Sequence, residues 1–383
     1  MSTVTARTLY FKNMQCLSVT AKTFCFCILG MMVSGTIIWM FDGTTYLRQH
    51  KFVGVIKNSN DSITTTDGII IPQHSIHILE ERMRNLTSTT SKWFVYLVQT
   101  PQCLPPSLLT NDFVGNETLC HCDVIVLSYQ NECNSSLFYH IEYLHLKHRT
   151  TWTQGRNLLW LQAKRRRKQY IYYIFMDDDI ELRYNNKIPF KRDEAMSPLR
   201  AFEKFLLNYE PVVGVVNFLN HVNYRFIMIK RHKLCKETRI LLPVYVSMTN
   251  FDALFNAFHY EAIDSILPYN TKYDKLSWWH SQRYIITKVE ILFRGQAVMF
   301  TPVYYTNKLH RPYPRNNGTV SQVWTSIVEE IEKKLPIQYR EMKLVKEFKS
   351  HPFYFLSNSQ TICLNLPAHF PIVPFQHFSW KIF

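Results

Sequence analysis

The chain is short of acidic residues. Its 383 residues include 29 Asp and Glu against 44 Lys and Arg, which gives a formal net charge of +15. Such a balance indicates an anionic partner: nucleic acid, a membrane surface or a phosphorylated substrate. The basic residues are spread out except for one run, Lys164 to Lys168, and zinc-finger, homeodomain and heptad-linked basic patterns are missing. We therefore expect no nucleic-acid partner.

Several catalytic motifs are missing as well. The sequence has no G-x-S-x-G, H-E-x-x-H or P-loop pattern, and no internal repeat. Hydrophobic residues make up 46% of the chain and aromatic residues 15%, so a sizeable core can form and global disorder is excluded. The length suits one large domain or two ordinary ones.

An uncharged apolar stretch, TFCFCILGMMVSGTIIWMF, occupies residues 23–41. It is long enough to cross a bilayer as a helix, and it starts too late for a cleaved signal peptide. Arg7, Lys12 and Lys22 precede it without an acid, which favours a cytoplasmic N-terminus. We predict a cytoplasmic tail (1–22), a transmembrane signal anchor (23–41), a stem (42–90) and a lumenal catalytic domain (91–383).

Sequons and cysteines agree with a lumenal body. Five N-x-S/T sequons follow the apolar stretch, at Asn60, Asn85, Asn116, Asn134 and Asn317. The cysteines beyond it are even in number: Cys103, Cys120, Cys122, Cys133, Cys235 and Cys363. In an oxidising compartment this predicts disulfides among the first four. Cys120-His121-Cys122 as part of a zinc site is the alternative, but no second half follows at finger spacing.

The hydrophobic pattern predicts strands that alternate with helices. Apolar runs predict buried strands at Trp93–Val98, Asp123–Ser128, Tyr170–Met176 and Val212–Val216. Helical spacing predicts helices at Gly155–Lys168, Leu199–Leu207, Phe251–Leu267 and Val323–Lys334. The alternation predicts an α/β fold with a mostly parallel mixed sheet flanked by helices.

Three adjacent aspartates, Asp177-Asp178-Asp179, end the third of these strands. Carboxylates this close repel one another unless a cation or strong donors hold them. At the C-terminal edge of an α/β sheet they form a suitable binding site for Mg²⁺ or Mn²⁺. A solvated acidic loop or a helix N-terminus is the alternative.

The segment YIYYIFMDDDIEL resembles the DxD segment of GT-A-fold glycosyltransferases, in which a hydrophobic strand delivers acids to a nucleotide-sugar diphosphate. The preceding GRNLLWLQAKRRRK helix and the tail–anchor–stem–body plan also resemble those of Golgi type II transferases. The resemblance covers about residues 90–315. It implies a GT-A-like domain behind a single transmembrane helix and stem, located in the Golgi membrane. It also implies Mn²⁺- or Mg²⁺-dependent transfer of a sugar from a nucleotide-sugar donor to a glycan, protein or lipid acceptor.

The resemblance assigns the metal ligands. Asp177 and Asp179 match the two acids of DxD, with Asp179 in direct metal contact and Asp177 on the ribose or on the metal through water. Asp178 fills the variable middle, either at the nucleotide or as a solvent-facing or backbone-capping acid. His310 matches a late histidine that some GT-A enzymes use as a further ligand, and an ordinary loop histidine is the alternative.

Basic residues are candidates for binding the donor's phosphates. Arg156 lies at the start of the helix before the acidic strand, and Arg311 follows a predicted strand. For the run Lys164 to Lys168 a solvated helix end that suits the helix dipole is the alternative.

A catalytic acid completes the expected site. In an inverting transfer a carboxylate takes the proton of the acceptor hydroxyl. Asp252, Glu261 and Asp264 are candidates, all on the predicted helix Phe251–Leu267. Asp252 lies in its first turn, where complementing the helix dipole is the alternative role.

Two other classes of protein compete with the transferase. A non-catalytic membrane-anchored ectodomain with a Ca²⁺-binding acidic cluster predicts several acidic loops and all-β patterning. A lumenal metal-dependent hydrolase or phosphotransferase predicts a His-rich metal set or a nucleophile motif. The chain has one acidic cluster and alternating strands and helices, which favours the transferase.

Overall fold

The computed structural model describes residues 92–134, 138–148, 150–166, 170–188, 190, 195–218, 244–248, 250–309, 320–350, 372 and 374, and two short strands before them. Those strands, β1 (Ser62–Thr64) and β2 (Ile70–Pro72), pair antiparallel. No helix within these ranges is both long and apolar enough to cross a membrane. The predicted tail, the anchor and nearly all of the stem lie outside the described residues.

A nine-stranded sheet forms the centre of the described part of the chain. Its strand order is β5-β4-β3-β6-β10-β8-β11-β7, and β9 also pairs with β11. By their pairings β7, β9 and β10 run against the other six strands. The expected mixed sheet is confirmed, with four parallel and four antiparallel pairings. The strands are β3 (Phe94–Thr100), β4 (Cys122–Ser128), β5 (Ile141–His145), β6 (Tyr172–Asp177), β7 (Ile180–Tyr184), β8 (Val213–Asn217), β9 (Tyr245–Ser247), β10 (Phe255–His259) and β11 (Ala297–Asn307).

Helices cover both faces of the sheet, and successive side chains of a strand point to opposite faces. On β3, Val95 and Leu97 join one buried cluster, whereas Phe94, Tyr96 and Val98 join the other. The first cluster packs against the helices α2 (Trp152–Arg165), α4 (Tyr260–Ile266), α5 (Trp278–Leu292) and α6 (Val320–Lys334). The second packs against α3 (Pro198–Tyr209). The other helices described are α1 (Glu117–Cys120), α7 (Ile337–Arg340) and α8 (Lys343–Ser350).

Helix α2 begins beside the end of β3 and is fixed there by local bonds. Thr151 and Gln154 form a reciprocal capping box, which satisfies backbone N–H groups of the first turn. Gln99, on β3, donates its Nε2 to the carbonyl of Trp152 at 2.8 Å. A Cβ on Gly155 would lie 1.9 Å from Gln99 Oε1, so a side chain here would displace the Gln99 amide from its bond to Trp152. The helix start is therefore held at the C-terminal edge of the sheet.

Most of the predicted elements are confirmed, with strand ends within two residues and three helices within three residues of the prediction. The predicted helix Phe251–Leu267 is wrong in its first half. Residues Phe255–His259 form the central strand β10, and α4 starts only at Tyr260 with His259 as its N-cap. All five residues of β10 are buried, because β6 and β8 flank it and helices cover both faces. Such a run lacks the period-2 signal of a half-buried strand.

Helices α1, α5, α7 and α8 were not predicted. Trp278 and Trp279 form the first turn of α5, which Ser277 caps. Polar residues such as Ser281, Arg283 and Thr287 are buried along this helix, and they hide its apolar period in the sequence.

The cysteines pair as the composition predicts. Cys103 bonds Cys133, and Cys120 bonds Cys122. The second bond uses both thiols that the alternative zinc site at Cys120-His121-Cys122 requires. Cys235 and Cys363 lie outside the described residues.

Gly155→Ala is expected to destabilise the fold by about 1–3 kcal/mol, because the added methyl overpacks the contact between α2 and Gln99. Urea denaturation measures the change. Leu161→Ala on the exposed side of the same helix is the control, expected to stay within about 0.5 kcal/mol of the parent. Equal stability of the two variants would contradict the close approach.

Candidate functional site

The aspartate triplet lies at the C-terminal edge of the central sheet. Asp177 ends β6, and Asp178 and Asp179 form the turn into β7. The backbone N–H of Asp177 donates to the carbonyl of Leu254 at 3.0 Å, just before β10. Lys308, just after β11, donates its backbone N–H to the carbonyl of Asp179 at 3.0 Å. Three segments that are distant in sequence therefore meet at the acids.

Arg156 holds Asp177 from helix α2. Its Nη2 donates to Asp177 Oδ1 at 2.9 Å, and its Nη1 contacts the hydroxyl of Tyr269 at 3.3 Å. The guanidinium lies over the Trp152 ring at 4.1 Å from the centroid. Arg156 is only 2% exposed, whereas the Asp177 side chain is 24% exposed. A buried cation thus anchors one oxygen of a carboxylate that reaches the surface.

Burial and charge act in opposite directions on Asp177. Burial is the largest effect, and with the neighbouring Asp179 and Asp178 it raises the pKa of Asp177 to about 6. The Arg156 guanidinium lowers this pKa but does not cancel the effect of burial. A cation bound at the turn would offset both the burial and the mutual repulsion of the aspartates.

Asp178 points into the protein. It is 7% exposed, and Thr100 Oγ1, at the end of β3, donates to its Oδ2 at 3.0 Å. The alternative of a solvent-facing acid is therefore wrong. Asp178 ties the turn to the neighbouring strand and leaves Asp177 and Asp179, both partly exposed, at the surface of the edge.

A pocket opens along the same edge. The ends of β8 and β11, the loop before β10 and the start of α5 surround it. Its lining includes Asn217, Asp252, Trp279, Arg283 and Tyr305.

Tyr305 connects the pocket to the aspartates. Burial raises the pKa of its hydroxyl most, the charges of Asp252 and then Asp177 raise it further, and Arg156 lowers it. The charges of both carboxylates and of the guanidinium therefore act on one phenol of the pocket lining.

Asp252 lies in the loop before β10, where its Oδ1 accepts from the backbone N–H of Leu254 at 2.9 Å. The predicted place in the first turn of a helix is therefore wrong, and so is a role in complementing that helix dipole. Burial lowers the pKa of Arg283 to about 10, and the charge of Asp252 raises it. Arg283 also donates to Asn250 Oδ1 at 2.9 Å and lies 4.4 Å from the Trp279 ring centroid.

The structure does not bring the other predicted acids to this site. Asp264 and Glu261 lie on α4, which follows the far end of β10 at the opposite edge of the sheet. Asp264 forms an exposed ion pair with Lys164 at the basic end of α2. Arg166 of the same basic run binds Asp123 and Glu142.

The predicted ligands His310 and Arg311 lie outside the described residues. Lys308, two residues before His310 in the sequence, donates its backbone N–H to the carbonyl of Asp179. Their roles stay predictions.

The donor set at the edge suits a hard divalent cation. Asp177 and Asp179 offer carboxylate oxygens, and Mg²⁺ sites use one or two carboxylates plus phosphate or water oxygens. Within the described residues, three potential ligand atoms lie within 4.8 Å of one another only at Cys120, Cys122 and His140, where the thiols are disulfide-bonded. The aspartates therefore offer an incomplete carboxylate shell rather than a closed cage.

Several residues of the site were not predicted from the sequence. Thr100, Asn217, Tyr269, Arg283 and Tyr305 all lie at strand ends, in a loop or on the unpredicted helix α5. Thr100 had a detectable signal, because it ends an apolar run before Pro101. The others become recognisable only when the strand order is known.

No protein-family model and no curated protein matches the chain. Among solved structures it is similar to glucosyl-3-phosphoglycerate synthase from Mycobacterium tuberculosis in complex with Mn²⁺, UDP and glucosyl-3-phosphoglycerate, at 11% identity and a TM-score of 0.35, covering 63% of this chain and 78% of that chain. The same synthase in complex with Mg²⁺ and UDP matches at 10% identity and a TM-score of 0.33, covering 66% of this chain and 81% of that chain. A197 from STIV matches at 11% identity and a TM-score of 0.30, covering 59% of this chain and 95% of that chain. Likeness of this degree carries no inference about activity.

Asp177→Asn is expected to flatten the pH dependence of stability. The folded chain keeps a proton on Asp177 up to about pH 6, whereas the unfolded chain releases it near pH 4, so stability falls as pH rises between these values. The substitution should remove up to about 3 kcal/mol of that fall. Urea denaturation in EDTA at pH 4 and pH 6.5 measures it.

Glu203 and Glu290 serve as an internal reference for this measurement. Burial raises the pKa of each to about 7, so both cause a fall of the same sign in parent and variant. Parallel pH profiles of parent and Asp177→Asn would contradict the raised pKa of Asp177.

Proposed function

We propose that the chain is a metal-dependent glycosyltransferase that moves a sugar from a nucleotide-sugar donor to a glycan, protein or lipid acceptor. One observation carries the proposal. Asp177 and Asp179 lie at the C-terminal edge of a mixed α/β sheet, beside a pocket that contains Asp252. Ligands of open α/β sheets bind outside the carboxyl ends of the strands.

The donor's diphosphate is assigned to the Asp177–Asp179 turn. Mn²⁺ or Mg²⁺ bound there would neutralise the diphosphate leaving group. Asp179 is proposed as a direct metal ligand and Asp177 as a ligand of the metal or the ribose. Arg156, with both Nη atoms bonded, positions the Asp177 carboxylate rather than reaching for phosphate itself.

The segment after β11 is proposed to complete the donor site. His310 is the proposed further metal ligand and Arg311 the proposed phosphate contact. The support is the backbone bond from Lys308 to Asp179, which brings the chain to the metal-binding turn just before these residues.

Asp252 is the proposed catalytic base. It lines the pocket beside the donor site, and the bond from Leu254 N fixes its carboxylate. In an inverting transfer it would take the proton of the acceptor hydroxyl as the sugar–diphosphate bond breaks. Asp264 and Glu261 have no part in this proposal, because α4 lies at the opposite edge.

The location is also a proposal. The apolar stretch 23–41 would anchor the chain in the Golgi membrane as a single-pass type II protein with its catalytic domain in the lumen. The disulfides Cys103–Cys133 and Cys120–Cys122 suit that oxidising compartment.

The competing Ca²⁺-binding ectodomain fits the fold less well. It predicts all-β patterning, whereas the described residues form a sheet covered by helices on both faces. Its acids would also need to form a cage of six to eight oxygens, and the aspartates do not converge in this way.

Asp179→Asn is expected to lower the rate of nucleotide-sugar turnover at least about 100-fold, because it removes the charge that binds the metal. The assay screens hydrolysis and transfer with several nucleotide sugars and Mn²⁺, using the full-length chain in detergent. Asp112→Asn, in an exposed turn next to the start of α3, is the matched control and should keep the parental rate. Equal turnover of parent and Asp179→Asn would reject the metal site.

Asp252→Asn separates the base from the donor site. It is expected to lower transfer about 100–10,000-fold but to leave Mn²⁺-dependent nucleotide binding unchanged. Calorimetry with nucleoside diphosphates and a transfer assay provide the two readouts. Loss of nucleotide binding, or transfer at the parental rate, would contradict the proposed role of Asp252.

A further inference from the structure

Asn217, the last residue of β8, has a buried amide that forms no hydrogen bond with the described part of the protein. The residue is fully buried and lines the pocket, yet both Nδ2 and Oδ1 lack a partner there. Leaving a buried polar group without a hydrogen-bond partner is unfavourable. In a pocket, such a group indicates a polar ligand that supplies the missing bonds. An amide both donates and accepts, as neighbouring sugar hydroxyls require.

The charges of the pocket lining balance. Asp252 and Arg283 are its charged residues among those the structure describes, one negative and one positive. Arg283 is 4% exposed, and the charge of Asp252 raises its pKa against the effect of burial. A ligand that brings another carboxylate or ammonium group would leave one buried charge uncompensated, which is strongly unfavourable. The pocket therefore suits an uncharged ligand.

The pocket also lies at a suitable distance from the aspartates. Strand β10 separates β6, which ends at Asp177, from β8, which ends at Asn217. Two strand spacings are about 10 Å. A diphosphate held at the Asp177–Asp179 turn would therefore have its attached sugar, or the sugar that attacks it, beside Asn217.

We propose that this pocket binds an uncharged hexose ring and that Asn217 determines this specificity through hydrogen bonds to the ring hydroxyls. The inference rests on the proposed glycosyltransferase function and names the substrate class of its pocket. Uronates and sugars with a free amine are rejected by the balanced pair Asp252 and Arg283. A donor sugar and an acceptor sugar present the same chemistry, and the experiment distinguishes them.

The experiment uses the full-length chain in detergent with Mg²⁺ and has two arms. The donor arm compares hydrolysis of UDP-glucose with UDP-glucuronate, and of GDP-mannose with GDP-mannuronate, pairs that differ only in the carboxylate at C6. The acceptor arm compares methyl glucoside with methyl glucuronide by saturation-transfer NMR while nucleoside diphosphate is bound. We expect at least about tenfold preference for the neutral ring in one arm, and that arm identifies the source of the sugar.

Asn217→Ala is expected to weaken turnover or binding of the neutral sugar at least about tenfold, because the ring hydroxyls lose their partner. Binding of UDP or GDP should not change, since Asn217 lies away from the aspartate turn. Asn185→Ala is the matched control. Asn185 is likewise a buried asparagine, but it lies outside the pocket lining, beside Pro302, and its Oδ1 accepts from the backbone N–H of Lys187, so its substitution should leave sugar preference intact.

The outcomes separate this inference from the proposed function. Two results would overturn the specificity inference but not the proposed function, provided that nucleotide binding still depends on Asp179. One is that Asn217→Ala binds or turns over neutral sugars like the parent. The other is that neutral and acidic sugars are bound or turned over equally. Absence of neutral-sugar binding in both arms overturns it as well. If nucleotide binding is missing or indifferent to Asp179→Asn, the proposed function itself fails.

Discussion

The contact between Arg156 and Asp177 is the interaction on which the site depends. A nearly buried guanidinium, stacked on Trp152, holds a carboxylate at the very end of the central strand. Without this partner Asp177 would lose the cation that offsets its burial and its two acidic neighbours. With it, one oxygen of Asp177 is fixed and the remaining negative charge of the turn faces the sheet edge. The close approach of α2 to β3 at Gly155 supports the contact, because it fixes the backbone from which the Arg156 side chain extends.

The triplet divides into three roles according to direction. Asp178 turns inward to Thr100 and secures the turn, Asp177 is shared between Arg156 and the surface, and Asp179 lies partly exposed beside the end of β11. This division explains how a chain can keep three adjacent acids after a buried strand. One is used for structure, one is positioned by a cation, and one lies partly exposed at the sheet edge, where the proposed metal would bind.

The acidic strand, the helix before it and the mixed sheet could be predicted from the sequence because their signals are local. The apolar run Tyr170–Met176 and the capped, basic-ended helix around Arg156 each show their type within a few residues. The pocket could not be predicted, because Asn217, Asp252 and Tyr305 come together only through the strand order. Asp252 was assigned to the wrong element, since a central strand buried on both faces and a buried helix give the same apolar run. Asp264 was predicted on that same helix. Because the strand β10 precedes α4, Asp264 lies at the opposite edge of the sheet.

The central claim is that the Asp177–Asp179 turn holds a divalent cation that binds a nucleoside diphosphate. Anomalous diffraction from crystals of the chain grown with Mn²⁺ and UDP or GDP tests it most directly. We expect a manganese peak within coordination distance, about 2.0–2.6 Å, of a carboxylate oxygen of Asp179 or Asp177 and next to the phosphates. A nucleotide bound elsewhere, or manganese bound only away from this turn, would contradict it.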